Sequence, residues 1–453
     1  MQVKDKKILV VGMARSGIAA AKLLAARGAT PILNDSKEAS AFGDTLDGLK
    51  ELRCIWRLGC PAMEALDEAE GVVISPVVPD TAPFVVKARE MGLPVIGELE
   101  LAYELAAGEM VAVTGTNGKT TTVSLLGEIF KNAGKVTHVV GNIGYPYSAA
   151  AVDSRKDDVF VTEVSSFQLE TIVDFHPRAA ALLNITEDHL NRHGTMEEYT
   201  RIKMRIFENQ TAEDAAVFND DDPLSAPLAG QVKSRVLRFS RTHEVPEGAF
   251  ARDGKIIVRF GGEDKVLCDT GEVRIPGPHN LENALAATCI AVFMGVPAPV
   301  IRHTLRTFAG VEHRIEFVRE LDGVRYINDS KGTNVDSTLK AIQTMTAPTV
   351  IILGGYDKHC DFTPLALEMM KSPNMKAAVL IGATADQIET ALCKAGYTAI
   401  HRADTLEEAV NIGRRLSEKG GNVLLSPACA SFDMFSDYEA RGRIFKEIVQ
   451  NLK

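Results

Sequence analysis

The chain has 453 residues, of which 45% are hydrophobic and 24% are charged. This composition is typical of a soluble globular protein and excludes a disordered chain or a small disulfide-stapled domain. At about 150 residues per domain, the length predicts about three domains. Fifty basic residues against sixty acidic ones give a net charge of −10, which argues against a cationic surface for nucleic acid or anionic lipid. An anionic ligand must therefore be held by local groups.

The seven cysteines are scattered and form no C-x-x-C pair, as expected of buried thiols in a reducing compartment. The N-terminal sequence MQVKDKKILVVG runs directly into a strand-like stretch without a signal-type apolar region. No run reaches the roughly 18 apolar residues that a membrane span requires. We therefore expect a cytoplasmic protein.

Short β-branched runs alternate with longer amphipathic stretches along most of the chain, as where KKILVVG is followed by GIAAAKLLAARG. This rhythm indicates βαβ units and parallel sheets, and so an α/β fold. Domain boundaries are predicted near Gly97 and Gly310, where a new helix and a new strand begin. The stretch from 236 to 275 differs, because short strands and an Asp253-Gly254 turn predict a small antiparallel insert.

The strongest local motif is VAVTGTNGKTTT, over residues 111–122, which reads as a strand, a glycine loop and the start of an amphipathic helix. Backbone N–H groups at such a junction would hold phosphate oxygens, with Lys119 on the outer phosphates and a threonine hydroxyl on Mg²⁺. The loop is shorter than the common G-x-x-x-x-G-K-[ST] pattern, because position 113 is valine. A simple glycine turn is the alternative, but Gly-Lys-Thr-Thr at this junction favours ATP binding.

Two further polar residues follow apolar strands and are expected at the same sheet edge as the glycine loop. Glu163 ends VFVTEV, and His189 follows AALLNI. Carboxyl ends of parallel strands share one edge, so a carboxylate and an imidazole there could bind a divalent ion or position an attacking group. Taken singly, Glu163 could be a helix-cap acid and His189 a surface residue. Their convergence beside a phosphate loop favours the functional interpretation.

The helix after His189 is predicted to begin with a capping box formed by Thr195 and Glu198. Lys203 falls within its apolar face, about 40° from Tyr199 at 100° per residue. Burying an ammonium is costly, so this lysine should have a lowered pKa or be chemically modified. The alternative is snorkelling, in which the amine reaches water past its neighbours. The sequence pattern leaves both open.

At the N-terminus, the segment from Gly12 to Gly17 follows the first strand, and Asp35 ends the second. The arrangement is similar to a dinucleotide fingerprint, but the middle glycine is replaced by Ala14, whose Cβ hinders close approach of a pyrophosphate. The segment could therefore bind a nucleotide whose hydroxyls or base contact Asp35, or it could form only a strand-to-helix turn. NAD is the less favoured nucleotide.

Three polar loops follow strands in the last third of the chain, over residues 328–334, 354–358 and 426–433. Such loops at the carboxyl edge of a parallel sheet are where ligands bind in open α/β folds. The lysines at 331 and 358 would suit a dianionic amino acid or ATP phosphates. Ordinary turns are the alternative, because Asn, Asp, Gly and Ser dominate turns.

Taken together, GTNGKTTT, EVSSFQLE, NITEDHLNRHGTMEEY, GPHNLENALAA, HRIEFV, NDSKGTN and SPACASFDMF resemble the Mur ligases of bacterial peptidoglycan synthesis, in particular the members that add D-glutamate. The resemblance runs in order from residue 8 to about residue 445. It implies three domains: a UDP-binding Rossmann-like domain over 1–97, a central ATP-binding domain over 98–310, and a C-terminal Rossmann-like domain over 311–453 that binds the amino acid and ATP.

The resemblance also implies the reaction, in which ATP, UDP-MurNAc-L-alanine and D-glutamate give ADP, phosphate and the lengthened precursor. The substrate carboxylate would attack the γ-phosphate to form an acyl phosphate, from which the incoming amine displaces phosphate. Two Mg²⁺ ions and a carbamylated Lys203 are the implied cofactors. The resemblance is to cytoplasmic enzymes with small-molecule substrates, and we expect a monomer that binds neither nucleic acid nor a membrane.

Residue roles carried over from the resemblance fall into five groups. The catalytic residues would be Lys119, Glu163, His189 and Lys203. The metal ligands would be Thr120, Glu163, His189 and the carbamate of Lys203. The residues that bind ATP would be Gly115, Thr116, Asn117, Gly118, Lys119, Thr120, Thr121, Asn280, Asn283, Arg314, Asp329 and Lys331. The residues that bind the UDP substrate would be Arg15, Ser16, Asp35, Ser36, Lys37 and Asn142. The residues around D-glutamate would be Thr333, Lys358, Ser431, Phe432 and Tyr438.

Three positions depart from the family pattern. Ala14 and Val77 stand where glycines are common, which bears on the uridine contacts, and Asn191 replaces a more frequent acid near His189. Rival interpretations are a folylpolyglutamate synthase, which generally lacks a full preceding nucleotide domain, and a Mur ligase that adds another amino acid. A non-catalytic nucleotide sensor is a third, but it predicts a broken catalytic set.

Overall fold

The computed structural model describes residues 1–356 and 360–453, without the side chains of Asp44 and Asn191. Three sheets follow one another along the chain, each flanked by helices, as the α/β prediction requires. Contacts divide the described chain into two compact units, residues 1–274 with 280–308, and residues 275–279 with 309–453. The first unit contains two of the sheets, and the boundary near Gly97 stays a prediction. No helix among the described residues combines the length and the apolarity that crossing a bilayer would take.

The first sheet is parallel and has five strands. Its strands are β1 (Lys7–Val11), β2 (Thr30–Asp35), β3 (Ile55–Leu58), β4 (Gly71–Ile74) and β5 (Val95–Gly97). Its helices are α1 (Arg15–Ala26) and α2 (Pro83–Glu90), and α3 (Glu98–Leu105) follows directly. The strand order is β3-β2-β1-β4-β5, so the order reverses between β1 and β4. Ligands of open α/β sheets bind at such a switch point, beyond the carboxyl ends of the strands.

The second sheet has nine strands in the order β14-β13-β12-β11-β10-β9-β6-β8-β7. Its strands are β6 (Glu109–Thr114), β7 (Thr137–Gly141), β8 (Val159–Glu163), β9 (Ala179–Leu182), β10 (Ala215–Asn219), β11 (Arg235–Ser240), β12 (Gly248–Arg252), β13 (Lys255–Phe260) and β14 (Glu263–Asp269). Its helices are α4 (Lys119–Asn132), α5 (Tyr147–Ala151), α6 (Ser166–Leu169), α7 (Leu190–His193), α8 (Met196–Met204), α9 (Pro278–Phe293) and α10 (Ala298–Thr307). Strands β6, β8 and β9 are buried on both faces, which explains their continuous apolar runs.

The antiparallel part of this sheet is shorter than the sequence predicts. Strand β11 pairs in parallel with both β10 and β12, and only β12, β13 and β14 run antiparallel. The predicted turn is present, because Asp253 and Gly254 have φ angles of 52° and 73°, as a two-residue hairpin needs. The predicted start of the insert near residue 236 is therefore wrong, because β11 belongs to the parallel ladder and the antiparallel strands extend its edge.

The third sheet has six strands in the order β15-β16-β20-β17-β18-β19 and lies in the second unit. Its strands are β15 (Glu316–Leu321), β16 (Val324–Asn328), β17 (Thr349–Leu353), β18 (Met375–Leu380), β19 (Ile400–Arg402) and β20 (Asn422–Leu425). Its helices are α11 (Val335–Thr344), α12 (Thr363–Lys371), α13 (Ala385–Lys394), α14 (Leu406–Leu416) and α15 (Tyr438–Asn451). All its pairings are parallel except that of β15 with β16. The polar loops predicted from the sequence follow β16, β17 and β20.

Candidate active site

The glycine loop joins β6 to α4, and its backbone requires glycine at two positions. Gly118 has a φ of +88°, and a Cβ there would lie 2.3 Å from Asn283 Oδ1. Gly115 has a φ of +146°, which side chains rarely adopt. The loop is supported by Asn184, whose backbone oxygen accepts from Thr116 N at 3.0 Å and whose Oδ1 accepts from Asn117 N at 2.9 Å. Helix α4 begins at Lys119, so the N-terminus of this helix, which favours anions, lies at the end of the glycine loop.

Lys119 folds back onto its own loop. Its Nζ donates to the carbonyl oxygens of Gly115 and Thr116, both at 2.8 Å. The charge of the ammonium therefore lies directly over the glycine loop. This is the position from which a lysine can reach the outer phosphates of a nucleotide.

Lys203 lies on the inner face of α8 and is 2% exposed. Its Nζ donates to the Gly115 carbonyl oxygen at 2.9 Å and lies 4.6 Å from the centre of the Tyr199 ring. Burial lowers the pKa of this amine well below its usual value, and the nearby charge of Lys119 lowers it further. Of the two alternatives burial is therefore correct and snorkelling is wrong for this residue, because the amine points into the glycine loop.

The start of α8 differs from the predicted capping box. The Thr195 hydroxyl accepts from Glu198 N at 3.2 Å, which is one half of the box. The Glu198 carboxylate binds Arg201 instead of returning to Thr195, whose N–H donates to the His193 carbonyl oxygen at 3.0 Å. Only the first half of the prediction is therefore correct, because the donor for the second half is already used.

Glu163 ends β8, beside β6, and is 2% exposed. Its Oε1 accepts from Asn142 Nδ2 at 2.8 Å, whereas Oε2 has no hydrogen-bond partner among the described residues. The same holds for the buried Oγ1 of Thr121, at the start of α4. An unpartnered buried oxygen is costly, and carboxylate and hydroxyl oxygens are what Mg²⁺ prefers. The donor set therefore fits a divalent cation.

His189 follows β9 and precedes the one-turn helix α7. It adopts a left-handed φ of 53°, and its half-exposed imidazole lies 4.8 Å from the Phe167 ring and 3.5 Å from a carboxylate oxygen of Asp188. Strands β8 and β9 both flank β6, so the sheet brings the segments that carry Glu163 and His189 to the edge of the glycine loop.

Asn280 and Asn283 lie in the first two turns of α9 and are each 5% exposed. Asn283 Oδ1 accepts from Thr122 Oγ1 at 3.3 Å, and Asn283 Nδ2 donates to Asn280 Oδ1 at 3.1 Å. The structure thus places both asparagines beside the start of α4, where they were expected to engage ATP.

The N-terminal motif forms a closed loop after β1. Gly12 has a φ of +95°, and a Cβ there would lie 3.0 Å from Ser75 Cβ. Asp35 accepts from Met13 N at 2.8 Å and from Lys37 N at 3.0 Å, so its carboxylate organises the loop. Ser36 and Lys37 are exposed directly after it. Arg15 and Ser16 begin α1, and Arg15 lines a cavity of about 390 Å³ with the segment after Asn142.

The second unit contains the remaining residues that were predicted from the sequence to bind ATP. Asp329 is 2% exposed and accepts from Ser426 Oγ at 2.7 Å, which joins the loops after β16 and β20. Burial raises the pKa of Asp329 to about 6, although the charge of Arg314 opposes this. The Lys331 ammonium lies 5.3 Å from the centre of the Tyr438 ring.

The predicted D-glutamate residues are only partly brought together in this unit. Ser431 is buried and Phe432 is 64% exposed, with its ring 6.1 Å from that of Tyr356. Thr333 is half-buried in the loop after β16. The structure gives no contact of Ser431 or Phe432 with Thr333, and Lys358 lies outside the described residues.

Asp329 gives a testable pH dependence. Its folded pKa of about 6 lies above its unfolded value, so the unfolded chain binds fewer protons between pH 4 and 6, and the free energy of unfolding falls as pH rises through that window. Asp329→Asn removes this loss, and we expect it to raise the free energy of unfolding at pH 7 by up to about 3 kcal/mol relative to the native chain. Urea unfolding at pH 4 and pH 7 measures the difference.

The control is Asp437→Asn, because Asp437 is a partly exposed acid of the same unit whose pKa is lowered by the backbone N–H of Ala440. This variant should show no gain at pH 7. A stability difference for Asp329→Asn that is equal at the two pH values would contradict the assigned pKa.

Several residues of the site were not predicted from the sequence. Asn184 supports the glycine loop, Tyr199 contacts both Lys203 and Thr116, and Arg192 binds Glu170. Arg192 carries a usable signal, because it follows His189 by three residues and so lies one helical turn away. Tyr199 carries another, because it precedes Lys203 by four residues on the same face of the helix. Asn184 depends on a contact between distant segments.

Comparison with known proteins identifies the family. Residues 6–97 match the Mur ligase MurD-like N-terminal domain, residues 113–291 the Mur ligase middle domain, and residues 313–429 the glutamate ligase domain of Mur ligases. UDP-N-acetylmuramoylalanine-D-glutamate ligases from Alkaliphilus oremlandii and Clostridioides difficile are each 47% identical to this chain, over 100% of both sequences. The crystal structure of MurF ligase from Thermotoga maritima in complex with ADP covers 99% of this chain and 96% of its own, with a TM-score of 0.59 and 17% identity, and so shares the fold. The chain belongs to the Mur ligase family.

Proposed function

We propose that the chain is an ATP-dependent ligase that joins D-glutamate to UDP-N-acetylmuramoyl-L-alanine in the synthesis of peptidoglycan precursors. The observation that carries this is the 47% identity, over the whole chain, to enzymes named for that reaction. Lys119, Glu163, His189 and Lys203 are all present, which disfavours a nucleotide sensor without catalysis. The match over residues 6–97 disfavours a folylpolyglutamate synthase, for which a full preceding nucleotide domain is not expected.

ATP is the nucleotide that this proposal places at the glycine loop. The N–H groups at the start of α4 and the ammonium of Lys119 supply positive charge for its phosphates. Asn280 and Asn283 stand beside this helix start and can donate or accept hydrogen bonds from the nucleotide. Arg314, Asp329 and Lys331, which belong to the second unit, are also proposed to bind ATP.

Two Mg²⁺ ions are proposed at the same edge. Thr120 and Thr121 would serve one, and Glu163 with His189 the other, because these side chains offer hydroxyl, carboxylate and imidazole donors. The unpartnered Oε2 of Glu163 supports this assignment. Bound Mg²⁺ would supply charge neutralisation for the phosphoryl group that is transferred.

Lys203 is proposed to be carbamylated. Burial lowers the pKa of this amine and so favours its neutral form, which can attack CO₂ to form a carbamate with release of one proton. The carbamate nitrogen keeps one N–H, which can still donate to the Gly115 carbonyl oxygen as the amine does. The product replaces a disfavoured buried cation with an anion that can act at the metal site.

The proposed reaction begins when the terminal carboxylate of UDP-MurNAc-L-alanine attacks the γ-phosphate, so that an acyl phosphate forms and ADP leaves. The neutral amine of D-glutamate then attacks the acyl carbon, phosphate leaves with the proton that the nitrogen loses, and an amide bond forms. Lys119 holds negative charge on the phosphates in the first step. The chain would thus place positively charged side chains and metal ions where the anionic reactants would otherwise repel one another.

The remaining assignments concern the two substrates. Arg15, Ser16, Asp35, Ser36 and Lys37 are proposed for the uridine end of the precursor, and Asn142 for its muramoyl-peptide part. Thr333, Lys358, Ser431, Phe432 and Tyr438 are proposed to surround D-glutamate. We also propose a monomer located in the cytoplasm, and the free thiols of all seven cysteines support a reducing compartment.

An amino-acid panel tests the proposed function. Phosphate release in the presence of ATP and Mg²⁺ should require UDP-MurNAc-L-alanine and D-glutamate together, because neither half-reaction completes an amide bond alone. Release is measured with L-glutamate, L-lysine and meso-diaminopimelate in place of D-glutamate. Equal or faster release with L-lysine or the diamino acid would assign the chain to another member of the family.

A further inference from the structure

Arg192, in α7, binds three consecutive carbonyl oxygens of a turn that lies more than a hundred residues earlier in the chain. Its guanidinium donates to Pro76 O at 3.4 Å, Val77 O at 3.0 Å and Val78 O at 3.1 Å. Its Nε donates to Glu170 Oε1 at 3.1 Å, and Nη2 also binds this carboxylate. The side chain is only 15% exposed. A rigid fork of five N–H donors suits such a set of acceptors, and a lysine cannot reproduce it.

The turn over residues 76–78 lies at the switch point of the first sheet. It follows β4, and Ser75 N donates to Val11 O at 3.1 Å, so the turn starts beside the loop that follows β1. Val78 N donates back to Ser75 O at 2.9 Å, which closes the turn. The Val77 side chain is 75% exposed. The turn therefore borders the place where the UDP substrate is proposed to bind.

The Arg192 guanidinium also contacts an aromatic ring beside His189. It lies 4.6 Å from the centre of the Phe167 ring, and the centre of that ring lies 4.8 Å from the His189 ring and 5.5 Å from the His193 ring. Phe167 itself follows Glu163 by four residues. A change at Arg192 should therefore disturb both the turn at 76–78 and the Phe167 ring that contacts His189.

We propose that Arg192 is a positioning residue that links the turn over residues 76–78 to the His189 segment. In this role it fixes the position of the bound UDP precursor relative to the phosphate-transfer site. The inference rests on the proposed function for the identity of the precursor. Arg192 acts through the turn and through Phe167. Its loss should therefore weaken precursor binding even when neither nucleotide nor metal is present.

The test compares Arg192→Lys with a matched control, Arg205→Lys. Arg192 and Arg205 both line a cavity of about 260 Å³. Arg205 is 20% exposed and also binds three carbonyl oxygens, those of Leu169, Glu170 and Ile172. Its partners all lie within residues 169–208, so it does not contact the turn at 76–78. Both substitutions remove a partly buried guanidinium fork and should lower the melting temperature to a similar degree.

The measurement is the Kd of UDP-MurNAc-L-alanine by calorimetry without ATP or Mg²⁺, followed by kcat with all substrates. Arg192→Lys should raise this Kd about tenfold and lower kcat, whereas Arg205→Lys should change it by less than about twofold. The Kd of ADP, measured separately, should stay within about twofold in both variants. Equal weakening in both variants, or unchanged precursor binding by Arg192→Lys, would overturn the inference alone. A native chain that binds no precursor would overturn the proposed function, and this inference with it.

Discussion

Replacing Lys203 with alanine is expected to lower turnover about a thousandfold, as loss of a charged group at a transition state does. The amine is buried, has a lowered pKa and donates to the Gly115 carbonyl oxygen of the glycine loop, which is where the proposed carbamate would act. Affinity for ATP should change by less than about threefold, because Lys119 and the N–H groups of α4 remain. ADP release under saturating substrates and a separate nucleotide titration measure the two effects.

A second variant separates the missing charge from the cavity that alanine leaves. Lys203→Met keeps most of the side-chain volume, so it should fold as stably as the native chain and be equally inactive. In the native chain, ¹³C-labelled bicarbonate should give one carbamate resonance that is absent in both variants. Turnover near the native level in Lys203→Met would contradict the proposed role of this residue.

Glu163→Gln is expected to lower turnover about a hundredfold and to shift the Mg²⁺ activation curve to higher concentration. Glutamine can keep the hydrogen bond from Asn142 by presenting its oxygen, but it places an amide where the unpartnered Oε2 now lies. The loss therefore concerns the negative charge. Turnover is measured across a Mg²⁺ series at saturating ATP.

Glu98→Gln is the matched control for Glu163→Gln. Glu98 is 3% exposed, accepts from Ser148 N at 2.6 Å, and has a pKa raised by burial. Its replacement by glutamine should leave the Mg²⁺ curve in place. A similar shift in both variants would mean that burying any carboxylate in this unit, and not Glu163 in particular, determines the Mg²⁺ requirement.

The parts of the molecule that the sequence predicts are those set by local pattern. The strand-loop-helix order around Lys119 and the position of Lys203 on the apolar face of its helix both follow from the periodicity of neighbouring residues. The turn at Asp253 likewise needs only its own dipeptide. The predicted start of the antiparallel strands near residue 236 was wrong, because the direction of β11 depends on pairing with β10.

The contacts that hold the site together depend on pairs far apart in the chain. Asn184 reaches the glycine loop 67 residues earlier, Ser426 binds Asp329 across 97 residues, and Arg192 reaches Val77 across 115. Composition and periodicity carry no information about such pairs. The second half of the predicted capping box was wrong for a related reason, since a competing acceptor for Thr195 N–H is visible only in three dimensions.

The folded-back conformation of Lys119 bears on how tightly a nucleotide can bind. Two carbonyl oxygens of the glycine loop already accept from this ammonium, so a phosphate must take their place before it gains the same hydrogen bonds. The measured affinity is then the difference between two sets of contacts, and counting the contacts in the bound state alone overstates it. The carbonyl oxygen of Gly115, which Lys203 also contacts, would keep one donor after this exchange, so the loop is not left unsupported when its own lysine departs.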